Sequence, residues 1–319
     1  MKIILTGAAG FIGSNLSYGL VKLGNDVVGV DNLSTGFLEN VDRRRFKGLS
    51  GKFTFVKKDI NDEKLYKIFD GADICLHLAA LAKVQFSTDF PILSNRANID
   101  GTLNVLESAR KANIKRVVFS SSSSVYGGQN IKFPTQETEQ LMPRSNYAFQ
   151  KMAGENYCRL FSELYGLDTV CLRYFNVCGI NSRLGGAYSA LIPVIMNAAV
   201  NDCLVNINGD GQICRDYTPV ENVVQANILA ATHSERLNGE CFNVALGQTY
   251  SINEIYDKVC GLSGKTISKK YGPERSGDPK KSLADISKIK LVLGYNPTTS
   301  LNQSLIITYN WWRSGCPNK

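Results

Sequence analysis

The opening of the chain constrains its fold more than any other stretch. An apolar run, Lys2–Thr6 (KIILT), leads directly into Gly7-Ala8-Ala9-Gly10-Phe11-Ile12-Gly13, and a helical pattern follows to about Lys22. A second apolar run begins at Asp26 and ends on Asp31. Strand, glycine turn, helix, strand and acid in that order make a dinucleotide-binding unit. The glycines let the backbone approach a pyrophosphate, and the helix start offers unpaired N–H groups and partial positive charge. Asp31 lies roughly 20 residues past the last glycine, where a carboxylate accepts from the adenosine ribose hydroxyls. It would also repel a 2′-phosphate, which favours NAD over NADP.

The alternation of strands and helices continues. Phe53–Val56 reads as a strand running to Asp59-Ile60, Glu63–Phe69 as a short helix, and Asp73–Leu78 as a strand followed by the small residues Ala79 and Ala80. A helix is expected over 91–112, a strand over Arg116–Ser120, a helix from about 146 to Tyr165 and a strand over Asp168–Tyr174. The fold class is therefore α/β, a Rossmann-like doubly wound parallel sheet. Ligands bind such sheets at the carboxyl ends of their strands. Past about 178 the pattern breaks into shorter, glycine-rich pieces. The expected division is a cofactor and catalytic domain over 1–178 and a smaller α/β substrate lobe over 179–319, with segments returning to the main sheet.

Composition excludes several classes. The chain has 319 residues, 44% of them hydrophobic, enough for a sizeable core. No apolar run reaches the roughly 18 residues of a membrane helix, and the N-terminal run is too short for a signal peptide. A cytoplasmic protein with no membrane partner is expected. The nine cysteines are dispersed without a CxxC pair and there are only two histidines, so neither a disulfide framework nor a metal site is expected. A net charge of +8 suits an anionic substrate. No nucleic-acid motif accompanies it.

Tyr147 and Lys151, four apart, share one helix face. An ammonium beside a phenol is expected to lower the phenol's pKa and make it a base for an alcohol proton. The serine run Ser120–Ser124, at a strand's carboxyl end, would add a hydroxyl to the relay.

These motifs, with others, resemble the extended short-chain dehydrogenase/reductases, in their NAD-dependent epimerase/dehydratase branch. The resemblance spans nearly the whole chain: TGAAGFIG at 6–13, DNLSTG at 31–36, HLAA at 77–80, NIDGT at 98–102, SSSSSVYG at 120–127, YAFQK at 147–151, RYFNVCG at 173–179, NGDGQICRDYTPVENV at 208–223, FNVALG at 242–247 and RSGDPKKSLAD at 275–285. It implies Tyr147 as base, Lys151 as its helper and holder of the nicotinamide ribose, and Ser122 as the serine of the set. It implies cofactor contacts at Gly7, Gly10, Phe11, Ile12, Gly13, Asp31, Asn32, Ser34, Gly36, Asp59, Ile60, Leu78, Ala79, Ala80, Asn98 and Tyr174, besides Tyr147 and Lys151. Substrate contacts are implied at Lys83, Ser122, Ser123, Ser124, Tyr147, Asn176, Ala190, Arg215, Arg275, Asp278 and Ser282. The two arginines also suit a pyrophosphate by their guanidinium forks. A homodimer, paired through helices at about 91–112 and 146–166, is implied as well.

The resemblance further implies a reaction. Family members open by oxidising C4 of a nucleotide sugar. Dehydratases of the family carry acid residues where Ser123 and Ser124 stand, so neutral serines point to 4-epimerisation. Ser282, at the position that gates the C2 substituent, and Ala190, within a segment from 186 to 193, resemble the enzymes acting on UDP-N-acetylglucosamine and UDP-N-acetylgalactosamine. Cell-surface polysaccharide synthesis is the analogous setting. Lys83 departs from the pattern and leaves UDP-glucuronate or a UDP-N-acetylhexosaminuronate as an alternative substrate. UDP-glucose/galactose epimerisation, dehydration and a non-enzymatic NAD-binding regulator are the remaining alternatives.

Overall fold

The computed structural model describes residues 1–128, 131–185, 189–274 and 279–315. Strands β1 (Lys2–Thr6), β2 (Asp26–Asp31), β3 (Lys52–Lys57), β4 (Ile74–His77), β5 (Arg116–Ser122) and β6 (Asp168–Tyr174) form one sheet with a seventh strand, Glu240–Val244. The spatial order is Glu240–Val244, β6, β5, β4, β1, β2, β3, and every pairing is parallel. The order reverses beside β1, which opens a crevice at the strand ends where a ligand binds.

The central strands β1 and β4 are largely apolar on both faces because both are covered. In β1, Ile3 and Leu5 face one layer and Ile4 the other, as period-2 geometry requires. The first layer includes α1 (Phe11–Lys22), through Leu16, Leu20 and Val21. The second includes α2 (Tyr66–Phe69), which is shorter than the expected 63–69 helix, α5 (Gly101–Lys111) and α6 (Asn146–Tyr165). Short helices α3 (Val84–Asp89) and α4 (Pro91–Asn95) precede a π turn at Arg96–Asp100, so 91–111 is one nearly continuous helical run. Ser145 starts α6 by accepting from the Ala148 N–H, and Gly166 ends it in the left-handed conformation at φ 68°.

The second half of the chain divides its residues. Helix α8 (Val220–Thr232) packs on α1, and Glu240–Val244 extends the sheet beside β6. Helices α7 (Leu191–Asn201), α9 (Ile252–Ser263) and α11 (Leu301–Arg313) enclose a separate apolar cluster with Ile195, Ile255, Leu305 and Trp312. Helix α10 (Ser287–Leu293) packs against the strand Glu240–Val244. No helix among the described residues is long and apolar enough to cross a membrane.

Candidate active site

A cleft of about 570 Å³ opens at the carboxyl ends of β1, β2 and β4. Gly7, Gly10, Asp31, Asn32, Ser34, Asp59, Ile60, Leu78, Ala79 and Ala80 line it, all expected from sequence. Thr35, Lys58, Asn61, Leu81 and Ala97 line it as well. They lie next to the expected positions in the chain, so their placement needed only the turn geometry.

The cleft is shaped by close backbone packing. A Cβ on Gly7 would lie 2.7 Å from the Ala79 nitrogen, and one on Gly13 would lie 2.0 Å from the Gly7 carbonyl oxygen. Gly7 also sits at φ 71°, which disfavours side chains. Phe11, Ile12 and Gly13 form the start of α1, whose N-cap Gly10 offers no side-chain cap. The first N–H groups of that helix are thus left for a ligand. Asp31 accepts from the Ala9 and Leu33 N–H groups at 3.0 and 2.8 Å, which holds the carboxylate at the cleft wall. Burial raises its pKa despite these bonds. Gly36 packs beside it, since a Cβ there would meet Asp31 Oδ1 at 3.0 Å. Asn32 donates to Asp59 across the cleft mouth at 2.7 Å.

Two of the expected cofactor residues act from behind the wall. Asn98 is buried; its Oδ1 accepts from Leu81 N–H at 2.8 Å and its Nδ2 donates to Leu81 O at 3.0 Å. It therefore holds the cleft wall in place. The Tyr174 hydroxyl pairs with Ser120 Oγ at 2.9 Å and receives the Asn227 amide at 2.8 Å. That phenol is engaged within the buried face of the sheet.

The expected catalytic set lies where β5 meets α6. Ser122 ends the strand, and Ser123 and Ser124 begin a short 3₁₀ turn through Tyr126. The first three serines therefore belong to the strand, which is longer than expected. Ser122 Oγ accepts from the Ser124 N–H at 3.2 Å. Tyr147 and Lys151 are buried on the sheet-facing side of α6. Gly154 brings the helix in, as a Cβ there would meet the Phe119 ring at 2.4 Å. Lys151 Nζ then sits over that ring, 4.8 Å from its centroid, and donates to the Ser120 carbonyl at 2.7 Å.

The expected fall in the Tyr147 pKa is not what the structure has. Burial pushes the phenol up to about 12, and the Ser122 hydrogen bond opposes this only in part. Lys151 Nζ lies 5.9 Å from the Tyr147 ring centroid and spends a donor on Ser120, so it supplies no direct bond to the phenol. Burial also lowers Lys151, to about 8. Helical spacing placed the two groups correctly but carried no information on the desolvation that dominates both.

Among the residues expected to meet the substrate, Asn176 donates to Ser282 Oγ and to the Asp216 carbonyl, each at 3.0 Å. Asp216 ties these segments together. Its carboxylate accepts from the Leu246 and Gly247 N–H groups at 3.1 and 3.0 Å and from the Ala284 N–H at 3.3 Å. Its own N–H donates to the Ser282 carbonyl at 2.9 Å. Arg215, next in the chain, lies on the two-residue strand Cys214–Arg215, paired with Tyr250–Ser251. Ala190 is exposed at the start of α7, and Lys83 is exposed at the start of α3. Arg275 and Asp278 lie outside the described residues, as do 186–188 of the segment around Ala190.

Comparison with known proteins places the site in context. The model of the NAD dependent epimerase/dehydratase family matches residues 3–245. A UDP-glucose 4-epimerase of Mycolicibacterium smegmatis is 34% identical, covering 98% of this chain and 99% of its own. The chain belongs to the NAD dependent epimerase/dehydratase family. Among solved structures, a UDP-N-acetylglucosamine 4-epimerase of Methanobrevibacter ruminantium, in complex with UDP-N-acetylmuramic acid, aligns with a TM-score of 0.92 and 38% identity over 98% of both chains. A UDP-glucuronic acid 4-epimerase of Bacillus cereus, with UDP-glucuronic acid and NAD, aligns with a TM-score of 0.90 and 30% identity, covering 98% of this chain and 99% of that one. The protein is an isomerase of the UDP-sugar 4-epimerase type, and its cofactor is NAD.

The residues of the epimerase fit that cofactor. The close-packed glycine turn and uncapped helix start suit a pyrophosphate, and the Asp31 carboxylate suits a ribose diol without a 2′-phosphate. His77 is structural: Nδ1 pairs with Thr6 Oγ1 at 2.8 Å and Nε2 with Thr102 Oγ1 at 3.0 Å. Burial lowers its pKa to about 3, so the ring is neutral. Cys178 is buried and its thiol is pushed up to about 12, which leaves it unreactive. Among the described residues no cluster of His, Cys, Asp or Glu would hold a metal.

Proposed function

We propose that this epimerase interconverts UDP-N-acetylglucosamine and UDP-N-acetylgalactosamine. Tyr147 is the base for the C4 hydroxyl and Ser122 relays its proton; Lys151 holds the nicotinamide ribose and supports negative charge on Tyr147. Bound NAD supplies a reversible acceptor for the C4 hydride. Tyr147 returns the proton once the 4-keto sugar has turned over. Ser123 and Ser124 are neutral and offer no acid to expel a C6 hydroxyl, which favours epimerisation over dehydration. Asn176, Arg215, Arg275 and Asp278 are assigned to the nucleotide diphosphate and Ala190 to the sugar side.

The observation that carries the choice of sugar is Ser282. It is a small side chain that accepts from Asn176 at 3.0 Å, and a small residue at the position assigned to the C2 gate suits an N-acetyl group. The test is to incubate the purified protein, without added NAD, with UDP-GlcNAc, UDP-Glc and UDP-GlcA separately and resolve the C4 epimers by NMR. A far higher kcat/KM for UDP-GlcNAc than for UDP-Glc is expected. Ser282→Tyr should cut the N-acetyl substrate roughly 10–100-fold while sparing UDP-Glc. Equal turnover of both sugars by the parent protein would defeat the reading.

One observation favours a second reading. Lys83 is partly desolvated, which lowers its pKa, and has no side-chain partner among the described residues. An unpaired ammonium near the catalytic helix suits a carboxylate on the sugar. Turnover of UDP-GlcA, and not of UDP-GlcNAc, would select it. A homodimer belongs to the proposal too. Ile92 (83% exposed), Leu93 (56%), Phe149 (53%) and Leu164 (66%) present apolar surface on the 91–111 run and α6. Light scattering at micromolar concentration should give twice the chain mass, and a monomer would refute it.

A further inference from the structure

The buried charges behind the site take no part in the chemistry described so far. Glu155 is one turn beyond Lys151 on the inner face of α6 and is 4% exposed. Its Oε1 accepts from Ser121 Oγ at 2.5 Å and from Arg173 Nε at 2.9 Å, and its Oε2 accepts from Arg173 Nη2 at 2.8 Å. Ser121 is the residue before Ser122. Arg173 is also 4% exposed and is the register partner of Ser121 on β6. Its Nη1 donates to the Tyr126 hydroxyl at 2.8 Å, and that hydroxyl donates to Asn243 Oδ1 at 2.7 Å. Asn243 is in turn the register partner of Arg173 on Glu240–Val244. One row of residues across three strands is thus bolted to α6 immediately before the row that carries Ser122.

We propose that Glu155, clamped by Arg173, is a positioning residue for epimerisation: it locks the strand end bearing Ser122 to the helix bearing Tyr147, and it supplies the negative charge that faces Lys151. The inference rests on the catalytic reading of Ser122, Tyr147 and Lys151. A buried ion pair is no efficient source of stability, because desolvating both charges offsets their attraction. Its geometry here is that of a spacer between the two catalytic elements.

The electrostatic part follows from what surrounds Lys151. Tyr147, Glu155 and Cys158 face it from α6, Cys171 from β6, His77 from β4, and the Phe119 ring and Ser120 carbonyl from β5. Burial drives the ammonium towards neutrality, and Cys158, Glu155 and Cys171 oppose this. Tyr147 and His77 are uncharged near neutral pH, being pushed up to about 12 and down to about 3 by burial. Glu155 is the carboxylate of the group. Without it Lys151 would lose its proton at lower pH, and the support it gives Tyr147 would go with it.

Glu155→Gln alone strands Arg173 as an unpaired buried charge, so the decisive variant is Glu155→Gln with Arg173→Met, assayed as the NAD-containing protein beside Tyr147→Phe. The readouts are Tm, bound NAD, and kcat and KM across about pH 6 to 10. The expected result is a folded protein with bound NAD and a KM close to the parent value. The basic limb of its kcat profile should move down by roughly one pH unit, with kcat above that limb lowered at least about tenfold. A folded double variant with the parental limb and kcat would overturn the inference. If the double variant does not fold, Glu155→Asp keeps the charge but draws it back from Ser121. Its kcat should fall at every pH with the limb unmoved, and a parental kcat would overturn the inference. Activity retained by Tyr147→Phe would instead remove the catalytic reading beneath it.

Discussion

On the cofactor side of the cleft, Gly7, Gly10 and Gly13 share one turn, and Asp31 ends the strand paired with β1. On the side proposed for the substrate, Asn176, Asp216 and Ser282 come from three distant segments and are joined by side-chain and backbone bonds. The first side is made by local geometry: a strand that feeds a glycine turn and a helix creates its phosphate site by itself. The second exists only after the chain has returned, with one buried carboxylate accepting from Leu246, Gly247 and Ala284. A locally built site tolerates drift elsewhere, whereas a knotted one concentrates its geometry in a single residue. Changes on the first side should therefore cost cofactor or chemistry, and changes on the second should cost substrate affinity.

The largest expected effect sharpens this contrast at the junction of the two sides. Tyr147→Phe should lower kcat by about 10²–10⁴ and leave bound NAD and Tm near parental, read by steady-state kinetics and absorbance. A variant that lost NAD as well would show that the phenol belongs to the cofactor wall.

Next is a pH effect from Lys151, whose pKa falls from 10.5 to about 8 on burial. The unfolded chain keeps a proton between those values that the folded lysine has shed, so stability rises with pH across that window. The contribution is lost as pH falls through it. Lys151→Met removes the cost of the buried charge. Below pH 8 it should gain up to about 3 kcal/mol relative to the parent, less the Ser120 hydrogen bond, and this difference should vanish by about pH 10.5 in denaturant titrations. A pH-independent difference would mean that Lys151 does not titrate in this window.

Gly13→Ala tests the cofactor side directly. Its Cβ would fall 2.0 Å from the Gly7 carbonyl, so the turn must shift. A loss of about 1–3 kcal/mol is expected, with NAD absent from the purified protein. Retained NAD would show that the turn is softer than its packing implies. The smallest effect tests the knot: Asp216→Asn replaces a carboxyl that burial pushes up to about 7 and that accepts from three N–H groups. It should raise the KM for UDP-sugar roughly tenfold, with NAD content unchanged. Loss of NAD in this variant would break the distinction between the two sides.

Much of this architecture was legible because it repeats locally. The alternation to Tyr174, the glycine turn and Asp31 all follow from period and spacing, and the cleft collects ten of the expected contacts. Asn98 holds the Leu81 backbone from behind the wall, a task that the motif around it does not spell out. Glu155 continues the buried face from Tyr147 and Lys151, but an acid four residues past a lysine is ordinary on any helix and carries no signal in the sequence. Its meaning depends on Arg173 and Ser121, which only sheet register places opposite it.

By itself, the sequence determined the sheet and its cofactor, and it named the candidates for the catalytic side chains. Each depends on residues within a turn or two of one another, where bond geometry and hydrophobic period leave few choices. The tertiary structure decided how those side chains behave. It buried Tyr147 and Lys151, driving both towards their neutral forms. It also drew Asn176, Asp216 and Ser282 into one wall, and set a buried ion pair behind the serine strand. Desolvation and long-range contact are properties of the folded volume, and no spacing along the chain encodes them.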